Sequence, residues 1–172
     1  MLPKTLIVTT DAQYQKALAI RKRVFVVEQN VPAELEVDAY EKTSVHFLCL
    51  LGDEAVGTGR MRQKGGLIKF ERIATLANHR GKNLGAALMT LMQKYAEDMF
   101  PDLMPYMHAQ TTALGFYKKL GWVQLGANFY EAGIDHVAMT LPNKIPNVQL
   151  GKKLLADGDL PKPLRDYLTS RN

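Results

Sequence analysis

A short turn near the middle of the chain has the chemistry of an anion receptor. Residues 80–85 read Arg-Gly-Lys-Asn-Leu-Gly and lie between a strand-like run, 68–75, and an amphipathic helix, 84–99. The first turn of a helix leaves several N–H groups unpaired, and the helix dipole adds positive potential there. The dipole alone contributes only about 0.3–2 kcal/mol for an anion, so Arg80 and Lys82 are expected to add to it. The turn therefore predicts a phosphate-containing ligand.

Charge is unevenly distributed along the 172 residues, whose net charge is +5. Seven Lys or Arg residues and one acid lie between Arg60 and Lys82, whereas seven acids and one lysine lie between Val26 and Glu54. We interpret the basic segment as concentrated around the phosphate-binding turn, where a nucleotide cofactor explains it as well as nucleic acid would. The acidic segment predicts a cationic second ligand by charge complementarity. Simple solvated faces are the alternative for both segments.

Composition indicates a globular domain. Apolar residues make up 47% and charged residues 23% of the chain, and the length fits one domain with a terminal extension. The single cysteine, Cys49, rules out an internal disulfide and lies in an apolar run that predicts core packing. No run has the length of a membrane span, and the first residues lack a secretory apolar region. We expect a cytoplasmic protein with no membrane partner and no metal.

Hydrophobic patterning predicts alternating strands and single helices. The strands are expected at 5–10, 45–51, 55–62, 67–75, 106–110, 122–126 and 129–141, with Gly133 as a turn or bulge. The helices are expected at 12–24, 84–99 and 112–120, with a loop or short helix at 33–42. This order gives a mixed α/β sheet with helices on its faces. Residues 1–142 would form the domain, and 143–172 would form an extension packing on it or on a partner subunit, as in a homodimer.

The phosphate-binding turn does not match the common nucleotide-binding fingerprints. It lacks G-x-G-x-x-G with an acid about 20 residues on, and it lacks the Walker A pattern. Instead, residues 80–86 resemble the Q/R-x-x-G-x-G/A cofactor motif of the GNAT superfamily, the acetyl-CoA-dependent N-acetyltransferases. Residues 109–122, with Gln110, Phe116 and Tyr117, resemble the second half of that site. The stretches 21–29 and 133–139 are similar to the small bacterial branch labelled ElaA-like or YjcF-like.

The resemblance implies the GNAT acyl-CoA N-acyltransferase fold, a mostly antiparallel central sheet flanked by helices, with acetyl-CoA as cofactor. The residues that it places on the cofactor are Ile73, Ala74, Thr75, Arg80, Gly81, Lys82, Asn83, Leu84, Gly85, Ala86, Gln110 and Phe116. Asn83 stands where the family usually has its first motif glycine. Because Asn is the next residue most tolerant of positive φ, we expect the turn to survive. Gln110 stands where many members carry Asn.

The implied reaction is direct attack of a primary amine, from a small molecule or a peptide N-terminus, on the thioester. Tyr117 occupies the family position of the acid that protonates the thiolate. Glu28 and Glu71 are the candidate general bases, acting through water. Arg21, Gln29, His108 and His136 are substrate-binding candidates. Core or surface placement is the alternative to catalysis for Glu28, Glu71, His108 and His136. Two rival functions remain: an acyl-CoA-binding sensor or interaction module without turnover, and a nucleic-acid-binding protein, which the charge pattern disfavours.

Overall fold

The computed structural model describes residues 2–171 and divides into two compact units. The first unit contains the chain up to Arg62 together with Phe70–Pro101. The second contains Gln63–Lys69 and the chain from Asp102 onward. No helix in this described part of the chain is long and apolar enough to cross a membrane.

The strands and helices alternate as the sequence pattern indicates. The strands are β1 (Pro3–Ile7), β2 (Val45–Leu51), β3 (Glu54–Lys64), β4 (Leu67–Thr75), β5 (Met104–Gln110), β6 (Val123–Glu131) and β7 (Ile134–Thr140). The α-helices are α1 (Asp11–Arg21), α2 (Ala33–Glu36), α3 (Leu84–Met99), α4 (Leu114–Lys119), α5 (Val148–Leu155) and α6 (Lys162–Ser170). Short 3₁₀ turns occupy Glu41–Thr43, Ala77–His79, Thr111–Ala113 and Pro142–Lys144, and a π-helix, Lys22–Glu28, follows α1.

The first unit is an antiparallel sheet with helices packed on it. Its strand order is β1-β2-β3-β4, and both β1–β2 and β2–β3 are antiparallel pairs. Apolar side chains of α1, the π-helix, β2 and β4 form one core, which contains Ala17, Ile20, Val24, Leu48 and Ala74. Thr10 caps α1 by a reciprocal arrangement with Gln13, in which each side chain bonds the other residue's backbone N–H.

The second unit contains the start of β4, and the strands that follow it in the sheet are β5, β7 and β6, in that order. The pairs β5–β7 and β6–β7 are antiparallel, and Ala132 and Gly133 form the β6–β7 turn, with φ of 51° and 74°. Helices α5 and α6 complete the core of this unit. The buried members of that core are Leu67, Met104, Tyr106, Leu125, Ala138, Leu154, Leu160, Leu164 and Leu168.

The predicted mixed α/β class is confirmed, and β2, β4 and α3 have the predicted bounds. Other predicted boundaries are wrong, and β1, expected at 5–10, spans Pro3–Ile7. The first helix does not run as α-helix to Val24, because the backbone changes to a π-helix at Lys22. The last two strands are divided at Gly133 rather than near Gly126, because the chain stays extended through an irregular stretch between Leu125 and Phe129.

Candidate functional site

The phosphate-binding turn lies where the sequence predicts it, at the start of α3 in the first unit. Asn83 has φ 60°, in the left-handed region, and its side chain makes no capping hydrogen bond. The first backbone bond of α3 joins the Ala87 N–H to the Asn83 carbonyl. The N–H groups of residues 84–86 therefore precede the helical ladder and remain available to an anion. The expected positive φ of Asn83 is confirmed.

The residues around these donors are exposed. Arg80, Gly81, Lys82 and Asn83 all lie at the surface, whereas Leu84 is buried and anchors the turn. Gly81 has φ 75°, and a Cβ placed there would meet no atom within 4 Å. The turn is thus an exposed array of N–H donors with two flanking cations, a combination that suits a diphosphate.

Arg80 is held in place by two partners. Its Nη1 and Nη2 donate to the two carboxylate oxygens of Glu28 over 2.5 and 2.9 Å. Its Nε donates to the Thr75 carbonyl over 3.0 Å. The hydrogen bond from Arg80 lowers the pKa of Glu28, against a small opposing effect of burial. The end of the π-helix is therefore tied to the phosphate-binding turn.

Strand β4 is distorted immediately before the predicted pantetheine-contacting segment 73–75. Arg72 has φ 55°, a left-handed conformation that costs free energy in a non-glycine residue. Its Nε lies 3.1 Å from Glu36 Oε2, and its Nη2 donates to the Leu35 carbonyl over 3.0 Å. These contacts hold the strained residue, and of the segment that follows, Ala74 is buried while Ile73 and Thr75 are half-buried.

A buried ion network changes the interpretation of the charged segments. Arg21 and Arg60 are 0% and 1% exposed. Arg21 binds Glu36 and Glu41, and Arg60 binds Asp38, Glu41 and Glu71. The expectation that the basic segment surrounds the phosphate-binding turn is therefore wrong. Its arginines 60, 62 and 72 instead neutralise acids of the 26–54 segment and Glu71.

Two residues that the sequence predicts to bind substrate, Arg21 and Gln29, also lie in this unit. Each nitrogen of the Arg21 guanidinium bonds Glu36 or Glu41, and the side chain is fully buried, which leaves it no exposed atom for a substrate. The substrate-binding role expected for Arg21 does not fit this burial. Gln29 is half-buried just after the π-helix, and its N–H donates to the Val24 carbonyl.

Glu71 also has cationic partners. One of its carboxylate oxygens accepts from Arg60 Nη2 over 2.7 Å and from Arg62 Nε over 3.0 Å. Both predicted bases, Glu28 and Glu71, are thus held in ion pairs with arginines. A carboxylate in such a pair is a weaker proton acceptor, because protonation breaks the pair.

The second unit carries the other half of the motif. Gln110 ends β5 and is half-buried, and Phe116 and Tyr117 lie on α4 with their rings edge-to-face, 5.0 Å between centroids. Tyr117 is 7% exposed. Burial raises the pKa of its hydroxyl, so that it stays protonated throughout the neutral range.

His108 and His136 face one carboxylate, Glu131, which the sequence analysis did not single out. His108 Nδ1 lies 3.2 Å from Glu131 Oε1, and its Nε2 lies 3.0 Å from the Tyr106 hydroxyl. His136 Nε2 lies 3.9 Å from Glu131 Oε2. We call His108, Glu131 and His136 the histidine–glutamate cluster. A two-residue turn at Ala132-Gly133 places Glu131 opposite Ile134 and diagonal to His136, and this spacing can be read from the sequence.

The fold and the two motif halves define an acyl-CoA-dependent acyltransferase. The family described as Acetyltransferase (GNAT) domain matches residues 8–142, and the chain belongs to this family. YjcF of Bacillus subtilis (strain 168), an uncharacterized N-acetyltransferase, is 41% identical over 137 residues, which cover 79% of this chain and 97% of YjcF.

Solved structures share the fold. The crystal structure of Escherichia coli ElaA superposes with a TM-score of 0.73 at 23% identity, covering 81% of this chain and 99% of ElaA. An acyl-CoA N-acyltransferase from Pseudomonas aeruginosa gives a TM-score of 0.73 at 24% identity, with coverage of 81% and 99%. The expected GNAT fold is confirmed.

Proposed function

We propose that the chain transfers the acetyl group of acetyl-CoA to a primary amine of a small molecule or a peptide N-terminus. The observation that carries the proposal is the uncapped start of α3 at Asn83, flanked by Arg80 and Lys82. Family membership supports acyl-CoA as the donor. The choice of acetyl rather than a longer acyl group, and a cytoplasmic place of action, are part of the proposal.

The phosphate-binding turn would hold the CoA diphosphate through the N–H groups of residues 84–86 and the two flanking cations. The backbone of segment 73–75 in β4, where Ile73 and Thr75 are half-buried, would pair with the pantetheine arm as an added strand does. The cofactor contacts that the resemblance implies for Gln110 and Phe116, in the second unit, stay predictions. Acetyl-CoA supplies the activated acyl carbon when bound.

Tyr117 would act as the acid that protonates the departing thiolate. Its burial keeps the hydroxyl in the neutral, proton-carrying form at working pH. A positioned acid contributes about 10²–10⁴ in rate. The general-base role of Glu28 and Glu71 stays a prediction, and their arginine partners weigh against it.

The acceptor amine was expected to be cationic because of the acidic 26–54 segment. Four of its acids, Glu28, Glu36, Asp38 and Glu41, are paired with arginines, so this segment gives little net attraction for a cation. A cationic acceptor is still supported by the half-exposed carboxylate of Glu131 in the second unit.

A second candidate is an acyl-CoA-binding sensor without turnover. The pairing of both predicted bases with arginines favours it. In such a protein the phosphate-binding turn would bind CoA, but the amine would not be deprotonated for attack.

A thiol-release assay with acetyl-CoA over a panel of primary amines tests both candidates. We expect thiol release with at least one amine, and a loss of about 10²–10⁴ in kcat for Tyr117→Phe at an unchanged acetyl-CoA KM. Tyr167→Phe, in the C-terminal extension, is the matched control. Calorimetric binding of acetyl-CoA without release to any amine would favour the sensor, and absence of both would overturn the proposal.

A further inference from the structure

We infer that His136 is the general base of the acetyl transfer and that Glu131 anchors the protonated acceptor amine next to it. The inference rests on the proposed function and adds to it the class of acceptor, an alkylamine that arrives as an ammonium ion. It depends on four observations within the second unit.

The tautomer of His136 is fixed by its backbone contact. Nδ1 lies 2.7 Å from the Ile134 carbonyl oxygen. Because a carbonyl only accepts, Nδ1 must carry the hydrogen and donate it. In the neutral ring the lone pair then lies on Nε2. That atom faces Glu131 Oε2 at 3.9 Å, beyond hydrogen-bond distance, so it is free to accept a proton.

His108 does not offer the same group. Its Nδ1 donates to Glu131, and its Nε2 accepts from the buried Tyr106 hydroxyl over 3.0 Å. Both ring nitrogens are therefore engaged. We assign His108 as a positioning residue that orients the Glu131 carboxylate.

Glu131 has the properties of an ammonium anchor. Its side chain is 52% exposed, although His108 and His136 beside it are only 13% and 10% exposed. Burial opposes ionisation, but the hydrogen bond from His108 and the electrostatic effect of the neighbouring His108, His136 and Lys69 lower the pKa of Glu131. The charged group that faces His136 is thus Glu131 on β6, and His108 on β5 and Lys69 on β4 act on that same carboxylate. The carboxylate is ionised when an ammonium group approaches.

The cluster lies beside the residue expected to contact the pantetheine arm. In the β5–β7 register His136 is directly opposite Gln110. Directly opposite residues project from the same face, with Cβ atoms about 4.5–5.5 Å apart. His108 projects from that face as well, two residues before Gln110. Phe129 lies opposite His136 on β6 and stacks on it, 5.9 Å between centroids, which limits rotation of the imidazole.

The assignment gives a balanced reaction. The ammonium group bound to Glu131 gives one proton to His136 Nε2, and its nitrogen becomes nucleophilic. The amine nitrogen then bonds to the thioester carbonyl carbon while the C–S bond breaks, its electron pair remaining on sulfur. Tyr117 protonates the thiolate, and the second proton lost by the amine nitrogen returns to Tyr117. His136 releases its proton to solvent.

The test compares kcat/KM against pH for an active alkylamine in four proteins: wild type, His136→Asn, Glu131→Gln and Asp135→Asn. Asp135 is the matched control, since it neighbours His136 in β7 but projects from the opposite face, where it bonds Asn128. Each protein is also tested with hydroxylamine, an acceptor that is largely neutral near neutral pH.

We expect His136→Asn to lose about 10²–10⁴-fold in kcat/KM with the alkylamine near neutral pH. The loss should shrink at alkaline pH and with hydroxylamine, because neither case needs an enzymatic base. Glu131→Gln should mainly raise the KM for the alkylamine, and Asp135→Asn should behave as wild type. An unchanged profile in His136→Asn, or an equal loss under all conditions, overturns the inference.

A readout independent of turnover uses ¹⁵N-histidine NMR of the wild-type protein. We expect the neutral ring of His136 to be the Nδ1-protonated tautomer, and the Nε2-protonated tautomer would overturn the assignment. If none of the tested amines supports thiol release by the wild-type protein, the proposed function fails. If wild type is active and His136→Asn matches it, only this inference fails.

Discussion

Arg80 donates hydrogen bonds from Nη1 and Nη2 to the two carboxylate oxygens of Glu28, and from Nε to the Thr75 carbonyl. The guanidinium is thereby oriented at the edge of the phosphate-binding turn before any ligand arrives. A lysine could replace the charge but not the two-pronged contact. Both side chains of the ion pair are more than a third exposed, so the pair itself contributes modestly to stability.

Arg80→Lys tests this orientation. We expect the KM for acetyl-CoA to rise about two- to fivefold, since an exposed pair contributes about 0.2–1 kcal/mol. The kcat of Arg80→Lys should equal that of the wild-type protein. Steady-state kinetics at low salt measure the effect, and Lys94→Arg, on the exposed face of α3, is the control. An unaltered KM would show that Arg80 does not position the donor.

Asn83 occupies a conformation that suits glycine. We expect Asn83→Ala to lower the free energy of unfolding by about 1 kcal/mol, because its φ of 60° is costly for a residue with Cβ and no compensating polar group. Asn83→Gly should be within a few tenths of a kcal/mol of wild type. Urea unfolding provides the measurement. As a companion, Ala132→Gly, at φ 51°, should stabilise, and a destabilised Ala132→Gly would contradict the reasoning.

The buried ion network predicts acid sensitivity. Burial alone would raise the pKa of Glu41, but the hydrogen bonds from Arg21 and Tyr14 and the charge of Arg60 lower it to about 2. In the unfolded chain the pKa of a glutamate carboxyl is about 4.3. Glu41 therefore stabilises the fold fully above the unfolded pKa, and this contribution is lost as the pH falls from about 4 to about 2.

Glu41→Gln should lower the free energy of unfolding by about 3 kcal/mol near pH 7, because the buried guanidinium groups of Arg21 and Arg60 then each lose one of their carboxylate partners. Its stability should also depend less on pH below about 4. Urea midpoints between acidic and neutral pH measure both effects. Glu34→Gln, exposed on α2, is the control from the same segment. A Glu41→Gln protein with the wild-type acid transition would refute the linkage.

The C-terminal helices contribute to the core of the second unit. Leu164 is 0% exposed and packs with Tyr106 and Leu125. Leu164→Ala should lower the free energy of unfolding by about 2–5 kcal/mol. Val148→Ala, 70% exposed at the start of α5, should change it by less than about 0.5 kcal/mol. Equal effects of the two changes in thermal unfolding would contradict the assignment.

The secondary-structure elements were predicted well where the hydrophobic periodicity and the turn and capping residues agree. The apolar stripe of α3 and the strand–turn–helix order around the phosphate-binding turn were both found, and β4 had the predicted bounds. The π-helix after Arg21 was not predictable, because its residues continue a helical pattern and only the backbone register differs. The domain boundary at 142 stays a prediction.

The site was less accessible from sequence than the fold. The charge distribution along the chain predicted that Arg60 and Arg72 lie near the phosphate-binding turn. In the folded protein, Arg60 instead forms an ion pair with Asp38, and Arg72 forms one with Glu36. Glu131 was missed because its significance depends on strand register across the β6–β7 turn. The separation of two residues in the sequence predicts whether they are neighbours on a helix. It predicts neighbours on adjacent strands only when the turn that sets the register is known.

Leu67 opens β4, yet it shares a core with Leu168 near the end of α6. A ribosome making this chain exposes Leu67 long before α6 leaves the exit tunnel. Until then the second unit lacks part of its apolar interior, and the nascent sheet is a target for chaperones. The core of the second unit is accordingly complete only once α6 has emerged and docked.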